Sequence, residues 1–138
     1  MEIIDTQHGS WAFDIPDTQH NIIVNRMIGQ WNIETAVAGI DALLQLVTER
    51  FPKREWGVLN DMRNWELCTP EVTEYFNNSV LKFTELQLRW QAVLPSNQLH
   101  KRLIDQYTEI TQGGLITRFF DNEEEAMRWL YSKIRETQ

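Results

Sequence analysis

The sequence predicts an α/β fold, in which a single-layer mixed sheet of about five strands is covered by four helices. Two patterns indicate this fold. Short β-branched runs near the N-terminus predict an antiparallel hairpin, and beyond residue 52 apolar runs alternate with helical periodicities, which predicts βα units. The length of 138 residues, 42% of them hydrophobic, allows one buried core, so residues 1–138 are predicted to form one domain.

The first strands are predicted from short apolar runs that are separated by turn residues. Ile3-Ile4 and residues 11–15 lie on either side of the turn-like residues 8–10. A β-branched run follows at residues 22–28. We expect two or three antiparallel strands in this part of the chain.

The first helix is predicted to begin after Asn32 and to end at Pro52. The Asn32 side chain can accept a hydrogen bond from a free backbone N–H group, and proline cannot continue a helix. The apolar residues between them recur at steps of four and three and so lie on one helix face: Ile33, Val37, Ile40, Leu44 and Val47.

The rest of the chain is predicted to alternate strands with helices. Strands are predicted at residues 56–60, 88–94 and 115–120. The second helix begins at Thr69-Pro70-Glu71, because threonine can cap a helix, proline suits its first turn and glutamate suits the positive end of its dipole.

Two further helices complete the prediction. The third begins at Ser96 or Asn97, ends at Gly113-Gly114, and carries Leu99, Leu103, Tyr107 and Ile110. The fourth begins with the acidic residues 123–125 and packs through Ala126, Trp129, Leu130 and Ile134.

Charge and composition exclude several classes of function. Lysine and arginine number 13 against 20 aspartate and glutamate residues, and the net charge of −7 argues against binding to nucleic acid or to an anionic membrane surface. Cys68 is the single cysteine, so no internal disulfide can form, and a cytoplasmic location is expected. The acidic N-terminus does not resemble a signal peptide, and no apolar run approaches the ~20 residues of a membrane span.

No motif for catalysis, cofactors or metals stands out. The sequence contains no glycine-rich phosphate loop and no Gly-x-Ser-x-Gly turn. Cys68 could act as a nucleophile near a helix start, but no Cys-His signature accompanies it, so inert packing is the favoured interpretation. Residues 14–20 contain three possible metal ligands whose spacing is more typical of a turn. We therefore expect a protein that is not an enzyme and that binds no cofactor or metal.

Three segments together resemble the SpoIIAA-like (STAS) family of anti-sigma-factor antagonists, and in particular its bacterial SEC14-like branch. The first is residues 58–65, an apolar strand that ends in Asp-x-Arg and precedes the Thr-Pro-Glu helix start. The others are residues 90–95, which are similar to the penultimate strand of the family, and residues 119–130. The resemblance implies a non-catalytic regulatory or protein-interaction module with an unidentified protein partner, and it leaves a homodimer open.

The resemblance also raises two specific questions. Family members that act as phosphorylation switches carry a serine at the start of the second helix, whereas residues 67–71 contain none. Thr69 is interpreted as the helix cap, so the switch is predicted to be absent. The SEC14-like branch implies an alternative function, a carrier of a small apolar ligand or lipid. A cavity of roughly several hundred Å³ lined by tryptophan and phenylalanine would favour the carrier, and a packed interior with a flat polar edge would favour protein contact.

The carboxyl edge of the predicted strands is the candidate site, because α/β sheets bind ligands there. Its residues are Asp61, Arg63, Asn64, Trp65, Thr69, Ser96, Asn97, His100 and Asp121. Arg63 beside Trp65 could clamp a carboxylate, or it could pair with Asp61. Most of the six tryptophans should be buried, whereas Trp31 and Trp65 fall at the ends of elements and are expected to be partly exposed.

Overall fold

Seven strands and three helices follow one another in a computed structural model that describes residues 2–6, 9–66, 69–95 and 110–136. The strands are β1 (Glu2–Thr6), β2 (Gly9–Asp14), β3 (Ile22–Gly29), β4 (Trp56–Trp65), β5 (Leu88–Leu94), β6 (Ile110–Gln112) and β7 (Leu115–Phe119). The helices are α1 (Ile33–Arg50), α2 (Pro70–Glu85) and α3 (Glu123–Glu136).

The strands form one mixed sheet in the order β1-β2-β3-β4-β5-β7-β6. The first three strands pair antiparallel, the central strands β3, β4, β5 and β7 pair parallel, and β6 pairs antiparallel with β7. The mixed α/β architecture that the sequence predicts is therefore confirmed. Among the described residues the sheet has seven strands rather than about five.

Strand β6 accounts for part of that difference. Ile110 was predicted to lie on a helix that Gly113-Gly114 ends, but it begins β6 instead. Gly113 and Gly114 have φ angles of 59° and 86° and form the two-residue turn of the β6–β7 hairpin. Such a turn requires positive φ at both central residues, which glycine adopts at little cost. The remainder of the predicted third helix, together with Ser96, Asn97 and His100, lies outside the described residues.

The two faces of the sheet carry separate apolar cores. Helices α1 and α2 cover one face, whose core includes Trp11, Ile23, Val58 and Phe83. Helix α3 covers the other face, where Ile22, Leu59, Trp90 and Leu130 are among the core residues. Ile22 and Ile23 are both fully buried although they point to opposite faces, which is typical of a central strand covered on both sides.

The helix starts test the predicted caps. Asn32 caps α1 as predicted, since its Oδ1 accepts a hydrogen bond of 2.9 Å from the backbone N–H of Thr35. Thr69 occupies the corresponding position before α2, but within the described residues its side chain makes no capping hydrogen bond. The prediction that the Thr69 side chain caps the helix is therefore wrong. The Thr69 carbonyl accepts the bonds from Val72 and Thr73 instead, and Pro70 fixes the first turn.

The exposure predicted for Trp31 is also wrong. Its side chain is only 2% exposed, and its indole N–H donates to the Ile28 carbonyl over 3.0 Å. A Cβ atom on Gly9 would lie only 2.5 Å from Trp31 Cδ1, so the absence of a side chain at Gly9 leaves room for the ring. Trp65 is half-buried, as expected. Strand β4, which was predicted to end at residue 60, continues to Trp65.

Candidate functional site

A cluster of four charged side chains lies at the edge that the sequence selected. Asp61 is buried and accepts hydrogen bonds from Arg63 Nε at 2.9 Å and from Arg63 Nη2 at 2.9 Å. Arg26 Nη1 donates to Asp61 Oδ2 at 2.8 Å and to Glu123 Oε1 at 2.6 Å. Strands β3 and β4 position three of these residues, and the first turn of α3 supplies Glu123.

The cluster is balanced in charge and its carboxylates are held ionised. Burial opposes ionisation of Asp61, but the hydrogen bonds from Arg63 and Arg26 outweigh it, so the pKa of Asp61 lies below its usual value. The hydrogen bond from Arg26 likewise lowers the pKa of Glu123. Two arginines thus neutralise two carboxylates. Arg63 pairs with Asp61, which is the second of the two roles that the sequence left open for it.

The remaining residues of the predicted edge contribute little to this cluster. Asn64, Thr69 and Asp121 are exposed. The side chain of Trp65 packs with the core on the α1 and α2 face, within 5.7 Å of the Trp31 ring and 5.5 Å of the Phe76 ring. The structure therefore brings Asp61 and Arg63 together and places Trp65 elsewhere.

A cavity of about 270 Å³ lies between the sheet and helices α1 and α2. Aromatic side chains form much of its wall: Trp11, Trp56, Trp65, Phe76 and Phe83. Met27, Met62 and Val80 extend the apolar surface. Of the residues predicted for the site, only Trp65 is part of the wall among those that the structure describes.

A ladder of amide side chains crosses the sheet on the cavity side. Asn25 Nδ2 donates to Asn60 Oδ1 at 2.9 Å, and Asn60 Nδ2 donates to Gln91 Oε1 at 2.7 Å. Gln91 Nε2 then donates to Thr117 Oγ1 at 3.2 Å. The three amides line the cavity, and Thr73, Asn77 and Ser79 of helix α2 add polar groups to a wall that is otherwise apolar.

Three buried polar atoms in the described part of the chain have no hydrogen-bond partner: Trp11 Nε1, Asn25 Oδ1 and Trp65 Nε1. All three residues line the cavity. Trp56 lines it as well, but its indole N–H donates to the Leu86 carbonyl at 2.8 Å. Buried polar groups in native proteins are normally paired. The three unpaired atoms therefore belong to residues around one cavity, and each atom is itself enclosed by protein.

The position of Trp11 depends on a glycine of helix α1. A Cβ atom on Gly39 would lie 1.7 Å from Trp11 Cε3 and 2.1 Å from Cζ3. Gly39 therefore lets the indole ring approach the helix backbone closely. With Trp31 at 4.6 Å and Phe13 at 5.0 Å between ring centroids, the Trp11 ring is held on three sides.

Comparisons with known proteins identify the fold and nothing finer. No protein-family model matches the chain, and no curated protein matches it. A solved structure from Shewanella loihica PV-4, described as an uncharacterized protein from the DUF3478 family with a SpoIIAA-like fold, is similar to the chain with a TM-score of 0.68. The similarity covers 92% of this chain and 98% of that chain at 16% sequence identity. This chain has a SpoIIAA-like fold.

The SpoIIAA-like fold thus agrees with the resemblance that the sequence segments suggested, whereas membership of the SEC14-like branch remains a prediction. None of the described helices is long and apolar enough to cross a membrane. The search for clusters of three or more metal-ligating side chains, confined to the described residues, finds none. Asp17 and His20, two of the possible metal ligands, instead form a turn in which His20 Nδ1 lies 2.8 Å from Asp17 Oδ2.

Sequence reasoning missed the residues that make the cavity distinctive. Asn25, Asn60 and Gln91 each interrupt an apolar strand of the SpoIIAA-like sheet at a position that points toward the same helices. Amides at inward positions of three neighbouring strands are a detectable signal, because an unpaired amide in a core is costly. Arg26 is a second signal of this kind that sequence reasoning missed, because it is a charged residue within the β-branched run of β3.

Proposed function

We propose that this protein is a non-catalytic SpoIIAA-like module that binds one small, largely apolar molecule in the cavity between the sheet and helices α1 and α2. The proposal rests on one observation, which is a cavity of about 270 Å³ whose wall is built largely from aromatic and other apolar side chains. The ligand role is the alternative that the sequence resemblance implied.

The volume limits the size of the ligand. An apolar cavity of ~150 Å³ can hold benzene, and sites for drug-sized ligands begin near ~300 Å³. A cavity of about 270 Å³ therefore suits a molecule of one or two rings. A lipid with two long acyl chains would not fit inside it. Of the two kinds of cargo that the resemblance implied, the small ligand is favoured over the lipid.

The chemistry of the wall supports binding rather than catalysis. Among the described residues, no Asp, Glu, His, Lys, Arg or Cys lines the cavity. Ser79 and Thr73 line it, but the Ser79 hydroxyl donates to the Tyr75 carbonyl at 2.7 Å and the Thr73 hydroxyl to the Thr69 carbonyl at 3.5 Å. General acid–base and nucleophilic catalysis both need such side chains within reach of the bound molecule. The wall offers shape, apolar contact and a few hydrogen bonds, which suits a carrier or a sensor.

A matched pair of substitutions on helix α2 tests the proposal. Val80 is part of the cavity wall, whereas the neighbouring Leu81 is 67% exposed. Val80→Phe should fill the cavity and weaken binding of naphthalene at least about 10-fold, and Leu81→Phe should leave it unchanged. Binding is measured from the shifts of cavity side-chain signals in NMR titrations. Equal affinity of the two variants, or no binding to the parent protein, would contradict the proposal.

Contact with a protein partner at the carboxyl edge is the second candidate function. The observation that favours it is the exposure of the charged cluster, in which Arg63 is exposed and Arg26 and Glu123 are partly so. Charged side chains of a partner protein could form ion pairs with this cluster. Affinity purification from the native host with the parent protein and with an Arg63→Ala variant tests it. If the variant recovers every protein that the parent recovers, the edge is not the contact surface.

A further inference from the structure

We infer that the ligand is amphipathic, with an apolar body that fills the buried part of the cavity and one polar end that lies at the opening, where the side-chain amide of Asn77 binds it. The inference rests on the proposed function and adds the class of the ligand and the residue that selects it. It excludes a molecule with polar groups at both ends.

The burial of the cavity wall changes along helix α2. Thr73 and Asn77, in the first half of the helix, are exposed to solvent although both line the cavity. Val80 is half-buried, and Phe83 is only 5% exposed. A wall residue that is also exposed lies where the cavity meets solvent. The cavity therefore opens beside Thr73 and Asn77 and ends in the protein interior near Phe83.

The closed end of the cavity is apolar. Phe83 packs against Trp56 with ring centroids 6.0 Å apart, and Trp56 pairs with Leu88 in the sheet. Trp56 is fully buried, Leu88 is 3% exposed, and both line the cavity. The indole N–H of Trp56 already donates to the Leu86 carbonyl at 2.8 Å, so these three side chains offer a ligand no hydrogen bond. A polar group placed beside them would lose its hydration without compensation.

Asn77 is the polar residue of the described wall that is available to a ligand. The other asparagine, glutamine, serine and threonine residues of that wall each make a hydrogen bond within the protein: Asn25, Asn60, Thr73, Ser79 and Gln91. The Asn77 amide makes none among the described residues. An amide side chain carries two donors and an acceptor, so it can bind a hydroxyl, a carbonyl or another amide. We therefore expect one of these groups at the polar end of the ligand.

The distance between the two ends agrees with the size of the cavity. Phe83 follows Asn77 by six residues on helix α2, which corresponds to about 9 Å along the helix axis. Two fused rings with one polar substituent are of about this length. A molecule of the size that the cavity volume allows can therefore reach the closed end while its polar group stays beside Asn77.

Three probes that share one ring system test the inference on the intact protein: naphthalene, 2-naphthol with one polar end, and 2,6-dihydroxynaphthalene with two. We expect 2-naphthol to bind roughly 3- to 10-fold more tightly than naphthalene, because its hydroxyl pairs with Asn77. The diol should bind at least about 10-fold more weakly than 2-naphthol, because its second hydroxyl must lose its hydration at the closed end. NMR titrations give the three dissociation constants.

Two neighbouring asparagines of helix α2 provide a matched pair of variants. Both are exposed, but Asn77 lines the cavity and Asn78 does not. Asn77→Ala should lower the affinity for 2-naphthol to that for naphthalene and leave the affinity for naphthalene unchanged. Asn78→Ala should change neither affinity. Alanine is the better helix former, so both variants should fold.

The outcomes distinguish this inference from the proposed function. Equal affinity of the parent protein for naphthalene and 2-naphthol, or the same loss of 2-naphthol binding in both variants, would refute the role of Asn77. Binding of the diol as tightly as 2-naphthol would refute the apolar closed end. In each of these cases the cavity remains a binding site. If none of the three probes binds, the proposed function itself fails.

Discussion

Replacing Gly39 by alanine should destabilise this protein, although alanine is the better helix former. In an exposed helix the change would add about 1 kcal/mol of stability. Here the new methyl group would lie 1.7 Å from Trp11 Cε3, whereas carbon atoms in contact normally lie ~3.5–4.0 Å apart. The ring or the helix must therefore move by roughly 2 Å, measured against that normal contact distance.

The expected size of the effect follows from how tightly Trp11 is held. Its side chain is 2% exposed and packs against Phe13, Trp31 and Phe76, so the ring has little room to move. Overpacking of this kind costs about 1–3 kcal/mol, and sometimes more. After the gain in helix propensity we expect a net loss of about 1–2 kcal/mol, or roughly 5 °C in melting temperature. Binding of naphthalene should weaken as well, because the displaced indole occupies its site.

Urea denaturation followed by tryptophan fluorescence measures the stability, and the NMR titration measures the binding. Ala38→Gly, at the exposed neighbouring position, is the control. It should cost about 1 kcal/mol from helix propensity alone and leave binding unchanged. A Gly39→Ala variant that is as stable as the parent, with unaltered affinity for naphthalene, would refute the packing argument.

The remaining predictions concern the charged cluster and the helix caps. Asp61→Asn should destabilise the protein at neutral pH by about 1–3 kcal/mol, because both arginines lose their buried carboxylate. Folding lowers the pKa of Asp61 below its ordinary value of 3.8, so the carboxylate stabilises the protein above that pH, and its contribution disappears as the pH falls toward the lower folded value. The difference in free energy of unfolding between the parent protein and Asp61→Asn, measured by urea denaturation, should therefore shrink below pH 3.8. A difference that does not change with pH would contradict the stabilising role of the ionised Asp61. Asn32→Ala should cost about 1 kcal/mol through loss of the α1 cap, whereas Thr69→Ala should cost close to nothing, and thermal melts of the two variants would show equal losses if both side chains capped their helices.

Local sequence signals predicted the elements that local interactions form. The strand at residues 88–94 and the Asn32 cap agree with the structure, since each depends on residues that are close in the chain. Arg63 and Asp61 are two residues apart, and their pairing was among the expected alternatives. Gly113-Gly114 was misread because two glycines can either end a helix or form a hairpin turn, and only pairing with β7 decides between them.

Long-range packing explains what the sequence did not predict. Arg26 contacts Glu123 across 97 positions of the chain, so the acidic start of α3 was interpreted as matching the helix dipole alone. The cavity depends on the volume left between two helices and the sheet, which no short pattern records. Trp65 was selected for its place at the end of a strand, whereas its contribution to the site depends on the direction of its side chain.

Native mass spectrometry of the protein purified from its own host tests the central claim most directly. We predict one bound small, largely apolar molecule on the parent protein and on Leu81→Phe, and its absence on Val80→Phe. If the parent protein and both variants carry no such molecule, or all carry the same amount, the cavity is not the binding site that we propose.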